Sequence, residues 1–138
     1  VALVDRFYAQ PQLTTRLTEA MEKAWPKAPR MIHAQLAMRL GEIALEHDDA
    51  AEARARLTEA REVLDGARWR PEDHVTVLAR LATLRHRVGD AAEARALLLT
   101  AEQVYEKERE GISTVFRAGA LRPLAEAYRA IGDEALAK

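Results

Sequence analysis

Cysteine is absent from the 138-residue chain, and glycine, proline and aromatic residues are few. Without cysteine the chain has no disulfide, no thiolate metal site and no cysteine nucleophile. Aromatic residues make up 5% of the chain, so its core must consist mainly of alanine, leucine and valine. With only 6 glycines and 5 prolines, and with Ala, Leu, Arg and Glu abundant, the composition predicts an all-α fold.

The chain also lacks a charge excess and a long apolar run. It has 21 basic and 22 acidic side chains, whereas nucleic-acid-binding proteins usually carry a basic excess or stripe. No run of about 18 apolar residues occurs, so membrane insertion is not expected. The opening VALVDRFYAQ contains charges and does not resemble a signal peptide. We therefore expect no nucleic-acid partner and, by default, a cytoplasmic location.

An internal repeat organises the sequence. The heptad DAAEARA stands at residues 49–55 and again, letter for letter, at 90–96. The match extends so that 40–64 lie over 81–105 with an offset of 41 residues. Partial copies flank this pair at residues 16–26 and 124–138. Repeats of this length are typical of helical solenoids and arrays.

Each copy predicts two helices joined by a short turn. Apolar residues recur at three- and four-residue spacing, then HDD, VGD or IGD interrupts the pattern. The aspartates of these turns are predicted N-caps, with Glu52 and Glu93 in capping-box positions. Gly89 and Gly132 are predicted left-handed helix ends. The predicted N-caps are Asp49, Asp90 and Asp133. Small residues repeat in phase and predict close helix crossings; they are Gly41, Ala82 and Ala125, then Ala53, Ala94 and Ala137, then Ala20, Ala60 and Ala101.

These signals predict a succession of helices that opens and closes within a hairpin. Pro11 suits a first helical turn, whereas Pro123 predicts a kink or a late start in its helix. We infer that the chain is a fragment of a longer array, or that its ends associate. The predicted helices are 2–8, 11–25, 31–47, 50–65, 72–88, 91–110 and 113–131, with another beginning at 134.

The segment LAEAYRAIGD, residues 124–133, resembles the tetratricopeptide repeat family. The family pattern is matched by Leu124, Ala125, Tyr128, Gly132 and Asp133. The other two copies keep parts of it, with alanine or arginine in place of the tyrosine. Units of 40–43 residues exceed the family's 34 and resemble its long-helix variety. The resemblance implies a right-handed solenoid of antiparallel hairpins, a single array over 1–138. Its predicted parts are a partial repeat 1–28, repeats 29–69 and 70–111, and a partial repeat 112–138.

The resemblance also implies a function. First helices of this family line a concave groove that binds extended peptides or partner helices, so we expect a non-enzymatic protein-interaction module. The family's clamp for a C-terminal carboxylate is not expected, because Glu42, Thr83 and Glu126 stand where asparagine is needed. The predicted groove residues are Gln35, Met38, Glu42, Leu45, Ala79, Thr83, His86, Arg122, Glu126 and Arg129.

No residue pattern indicates catalysis, a metal or a cofactor. His33 and His74 repeat with the unit and are interpreted as solvated residues near helix starts, too far apart to share a metal. Carboxylates in EARAR and EKERE are interpreted as solvated faces with i,i+4 pairs. Trp25 and Trp69 are interpreted as packing groups between units. No phosphate-binding glycine loop or nucleophile elbow occurs.

Two other functions stay open. Long-helix arrays of this kind also form sensor portions of bacterial regulators, in which a ligand or peptide changes the superhelix curvature, and the Ala/Arg-rich composition indicates a bacterial origin. Alternatively, the chain is a self-assembling scaffold, a homo-oligomer joined through its solenoid ends. An apolar patch at either end would favour the scaffold; the residues concerned are Leu3, Phe7, Tyr8, Ile131 and Leu136.

Overall fold

The structure is a computed structural model that describes residues 11–24, 29–66 and 68–132. Within these residues every regular element is an α-helix and no strand occurs, which confirms the predicted all-α class. The predicted helix bounds agree with the described ones within two residues. The helices are α1 Pro11–Ala24, α2 Arg30–Glu46, α3 Ala50–Asp65, α4 Pro71–Arg87, α5 Ala91–Glu108 and α6 Thr114–Ile131.

The chain forms two compact units, residues 1–67 (unit 1) and 68–138 (unit 2). In unit 1, α2 and α3 pack as a hairpin, and Leu17 and Met21 of α1 contact the buried Leu40 of α2. In unit 2, α4 packs against both α5 and α6. The boundary between the units lies two residues from the predicted boundary between repeats 29–69 and 70–111.

The helices follow the sequence repeat. Arg30 and Pro71, which begin α2 and α4, are 41 residues apart, as are the first residues of α3 and α5. The start of α6 at Thr114 lies 43 residues after that of α4, which is the offset of the last sequence copy. The helix starts therefore keep the spacing of the sequence copies.

A Schellman turn joins α2 to α3. The Asp48 N–H donates to the Leu45 carbonyl at 3.2 Å, and the Asp49 N–H donates to the Ala44 carbonyl at 2.8 Å. These bonds satisfy carbonyls that the end of α2 would otherwise leave open. They require a left-handed residue at Asp48, whose φ is 56°. A side chain in this conformation is strained, although aspartate tolerates it better than most residues.

The turn between α4 and α5 repeats this pattern with glycine in the left-handed position. The Gly89 N–H donates to the His86 carbonyl at 3.0 Å, and the Asp90 N–H to the Arg85 carbonyl at 2.9 Å. Gly89 has a φ of 93°, and Gly132 ends α6 with a φ of 88°. Both predicted left-handed glycines are confirmed.

The predicted caps are confirmed only in part. Asp49 accepts the Glu52 N–H at 3.2 Å and caps α3. Its own N–H is already bonded within the turn, so Glu52 does not complete a capping box with it. Asp90 is the N-cap residue of α5, as predicted, but its side chain makes no capping hydrogen bond. Instead, its Oδ2 lies 3.0 Å from Nη1 of Arg85, a side chain only 10% exposed.

Small residues allow the hairpin helices to approach closely. A Cβ added at Gly41 would lie 3.1 Å from Cδ2 of Leu57. Ala53, Leu57 and Ala60 of α3 are fully buried, as are their counterparts Ala94, Leu98 and Ala101 of α5. Each buried leucine contributes roughly 1.5–3 kcal/mol to stability. The predicted close crossings are confirmed for both hairpins. Ala20, in contrast, is exposed.

Helix α6 runs through Pro123 without interruption, so the predicted late start is wrong. Proline removes one backbone hydrogen bond and costs a helix about 3 kcal/mol. Ala120 before it and Leu124 after it are both buried, and an unbroken helix places both on one packed face. Burial therefore outweighs the local cost. The predicted helices at 2–8 and from 134, the cap at Asp133 and the crossing at Ala137 lie outside the described residues.

The two Schellman turns predict opposite effects of exchanging their left-handed residues. Asp48→Gly should raise the free energy of unfolding by about 0.5–1 kcal/mol, because glycine adopts a positive φ without steric cost. Gly89→Asp should lower it by about 1 kcal/mol. Urea unfolding followed by circular dichroism measures both changes. Stabilisation by both substitutions, or by neither, would contradict the assigned turn geometry.

Candidate functional site

The predicted groove residues of unit 1 all lie on α2, but they do not form one exposed row. Gln35 is exposed, whereas Glu42 and Leu45 are half-buried. Met38 is completely buried, so its predicted groove position is wrong. The Glu42 side chain accepts a hydrogen bond of 3.1 Å from Nη1 of Arg39, and this pair is the main polar feature of the row.

In unit 2 the predicted residues lie on α4. Ala79 is 1% exposed, so its assignment to the groove is also wrong. The Thr83 hydroxyl donates to the Ala79 carbonyl at 3.2 Å. Thr83 and His86 are half-buried and partly accessible. Met38 and Ala79 occupy equivalent repeat positions, so one phase error explains both: the apolar face of each first helix is wider than the spacing alone indicated.

The remaining predicted residues lie on α6 and are all exposed. Arg122 and Glu126 form an i,i+4 pair, with Nε and Oε1 2.9 Å apart and with both side chains more than half exposed. Such a pair contributes little to stability. Arg129, one turn further along, is also exposed. Because α4 and α6 pack against each other, the structure brings the rows of these two helices into one unit.

His86 contains a polar atom that the fold leaves unsatisfied. Its Nδ1 is buried and has no hydrogen-bond partner among the described residues. A buried polar group without a partner costs about 1–3 kcal/mol, so such groups are uncommon in native proteins. The position is the repeat equivalent of Leu45 and Arg129. Thr83 and His86 of α4 occupy the same repeat positions as Glu126 and Arg129 of α6, a helix that packs against α4. We name these four residues the α4–α6 face.

A charged cluster that sequence analysis missed surrounds Arg56 in unit 1. Its guanidinium binds Glu52 at 2.7 Å, Glu22 at 2.9 Å and Glu59 at 3.1 Å. The Arg56 side chain is only 12% exposed, so EARAR is not simply a solvated face. The contact with Glu22 links α3 to α1. A sequence signal existed, since the equivalent position in unit 2 is the buried Leu97.

The same cluster includes His33. Its Nε2 lies 2.9 Å from Oε1 of Glu59, and the two side chains are 23% and 28% exposed. His33 therefore joins α2 to α3 and is not the freely solvated residue that was expected. The cluster thus connects the three helices that the structure describes in unit 1. His74, the equivalent residue in unit 2, is half-buried.

The electrostatics of the cluster favour a charged Arg56. Burial lowers the pKa of Arg56, but its hydrogen bonds with Glu52, Glu22 and Glu59 outweigh burial and raise the pKa above that of a free arginine. The guanidinium therefore stays protonated at any pH at which the protein is folded. It is suited to hold helices together rather than to transfer protons.

Other predicted features have mixed outcomes. Ile131 is 8% exposed, so it contributes no apolar patch, whereas Val115 and Phe116 at the start of α6 are 81% and 55% exposed. Trp69 is half-buried. In the described part of the chain no three metal-ligating side chains lie together, and no helix is long and apolar enough to cross a membrane. Trp25, Leu3, Phe7, Tyr8 and Leu136 lie outside the described residues.

Comparison of the chain with protein-family models, with curated proteins and with solved structures found no match.

The Arg56 cluster predicts a stability effect that an ordinary surface pair does not share. Arg56→Leu should lower the free energy of unfolding by about 1–3 kcal/mol, because it removes the cation that three neighbouring carboxylates share. Arg61→Leu is the matched control on α3, since Arg61 makes one i,i+4 pair with Asp65 and should change stability by about 0.5 kcal/mol or less. Equal effects in urea unfolding would show that the cluster has no special role.

Proposed function

We propose that the chain is part of a tetratricopeptide-like helical array and works as a non-enzymatic protein-interaction module. The site is the α4–α6 face, and the ligand is an extended peptide or partner segment with an acidic side chain. Its mechanism is the presentation of a preformed surface, which reduces the entropy lost when a ligand binds. Two observations support the proposal of a helical array: the sequence repeats, and equivalent helices start 41 residues apart.

The observation that carries this proposal is a contrast between two repeat positions of the first helices. One buried position keeps its residue in all three copies, as Leu40, Leu81 and Leu124. One outward position changes in every copy, as Leu45, His86 and Arg129. This contrast fits a retained scaffold with a diversified surface. A specific partner would be recognised at the outward position whose residue changes from copy to copy. Exposed polar and charged side chains on a rigid scaffold are a common form of binding surface.

The chemistry of the face favours an acidic ligand. His86 is half-buried and presents part of its ring at the surface, and Arg129 adds an exposed cation. Glu126 is held by Arg122 at 2.9 Å, which reduces its repulsion of an incoming carboxylate. A carboxylate bound by Arg129 would gain charge-assisted hydrogen bonds, which are the stronger kind.

Peptide binding to the full chain tests the proposal. An array of random 12-residue peptides should select sequences with aspartate or glutamate. Arg129→Glu should weaken the selected peptides about tenfold or more, since it replaces attraction by repulsion. Arg95→Glu is the matched control, because Arg95 is exposed on α5, away from this face. Selection of no peptide, or equal loss in both variants, would contradict the proposal.

A further inference from the structure

The outward side of α6 presents bare backbone where the other first helices carry polar side chains. Gly119 is exposed, and Pro123, one turn later, is half-buried. Among the described residues, a Cβ added at Gly119 would meet no packing partner within 4 Å, so no contact requires a glycine there. Glycine and proline are also the two residues least suited to a helix interior. The equivalent positions hold Gln35 and Arg39 in α2, and Thr76 and Arg80 in α4.

Pro123 leaves a backbone acceptor open at Gly119. In a regular helix the carbonyl of residue 119 accepts a hydrogen bond from the N–H of residue 123, but proline has no N–H. Helix α6 nevertheless continues through this point. Because Gly119 has no side chain to shield its carbonyl, and because carbonyls on the solvent side of a helix tilt outwards, an N–H donor from another molecule can reach this acceptor.

An exposed aromatic ring lies beside this acceptor. Phe116 precedes Gly119 by three residues, which makes the two neighbours on the helix surface, and it is 55% exposed. We name Phe116, Gly119 and Pro123 the α6 row. An aromatic surface and a backbone acceptor side by side suit an extended peptide, which binds through its main-chain N–H groups and through single side chains in pockets.

The α6 row is accessible in the earlier copies as well, so its exposure does not depend on where the described helices end. In α2, which α3 to α6 follow in the chain, the equivalents Ile32 and Gln35 are exposed. Arg80, the α4 equivalent of Pro123, is also exposed. The second helix of a hairpin packs on another side of the first helix, around Gly41 in unit 1. A second helix therefore leaves this row open.

We propose that the α6 row binds an apolar residue of an extended peptide segment from a partner protein. The role of this row rests on the function proposed above and gives its acidic ligand a second point of contact. A bulky apolar side chain packs on Phe116, and a backbone N–H beside it donates to the Gly119 carbonyl. Arg129 binds the acidic side chain. Phe116 and Arg129 are 13 residues apart, which is about 20 Å along a helix and the length of about six extended residues.

Peptides with a varied spacing test the shape of this ligand. Each dye-labelled peptide has a serine–alanine background with one leucine and one aspartate, placed about two to nine residues apart in both orders. Fluorescence anisotropy with the full 138-residue chain should show the tightest binding at a separation of about six. Phe116→Ala should weaken this binding about fivefold or more. Leu99→Ala is the matched control, because Leu99 is 56% exposed on α5. Equal binding at every separation would overturn the proposal.

Pro123→Ala separates a binding role from a structural one. Alanine restores the N–H, which bonds to the Gly119 carbonyl within α6 and takes the acceptor away from the ligand. The variant should therefore be more stable in urea unfolding, yet bind the best-spaced peptide about fivefold less tightly. Pro71→Ala is the matched control, because Pro71 is the first residue of α4, where proline removes no intrahelical bond. Unchanged or tighter binding by Pro123→Ala would refute the role of the acceptor.

N-methylation of the peptide locates the hydrogen bond. A methyl group on one of the N–H groups beside the leucine should weaken binding to the natural chain about fivefold and should not affect Pro123→Ala, which has already lost the bond. Peptides that bind through Arg129 but ignore leucine, Phe116 and Pro123 would overturn this proposal and leave the proposed function standing. If no peptide of either array binds, both proposals fail.

Discussion

The close contact between first and second helices is the constraint on which the rest of this protein depends. At its centre, Leu57 lies against Gly41, where an added Cβ would come within 3.1 Å. Alanines on either side of the leucine bring the two backbones together, and the same arrangement recurs in unit 2. Because aromatic residues are scarce, the fold depends on close approach rather than on large side chains. Dense packing of small residues leaves little tolerance for bulk in these positions.

Sequence predicted the helices well because their signals are local and repeated. The identical heptads mark the starts of α3 and α5, and Gly89 marks the end of α4 through its left-handed backbone. The errors arose where tertiary contacts override local preference. Asp90 is the N-cap residue of α5, yet its carboxylate binds Arg85 and makes no capping hydrogen bond. Proline usually interrupts a helix, yet buried residues on both sides of Pro123 keep α6 continuous.

The candidate site could be predicted less completely. Spacing along a helix gave Arg122, Glu126 and Arg129 correctly as exposed, because α6 has a distinctly polar side. It failed at Met38 and Ala79, because both residues are buried against the rest of their units, and spacing within one helix does not show how wide its packed face is. The Arg56 cluster was missed because it depends on Glu22 of another helix, which no spacing within α3 can indicate.

Arg56 and Leu97 occupy the same place in two copies of one repeat, and this difference makes the hairpins non-interchangeable. Unit 1 fills the position with a cation that requires Glu22 from the preceding helix, whereas unit 2 fills it with a buried leucine. If the hairpins exchanged places, Leu97 would face carboxylates and Arg56 would lose one of its anions. The order of the repeats is therefore encoded in the contacts of single residues, although the backbone geometry of the copies is shared.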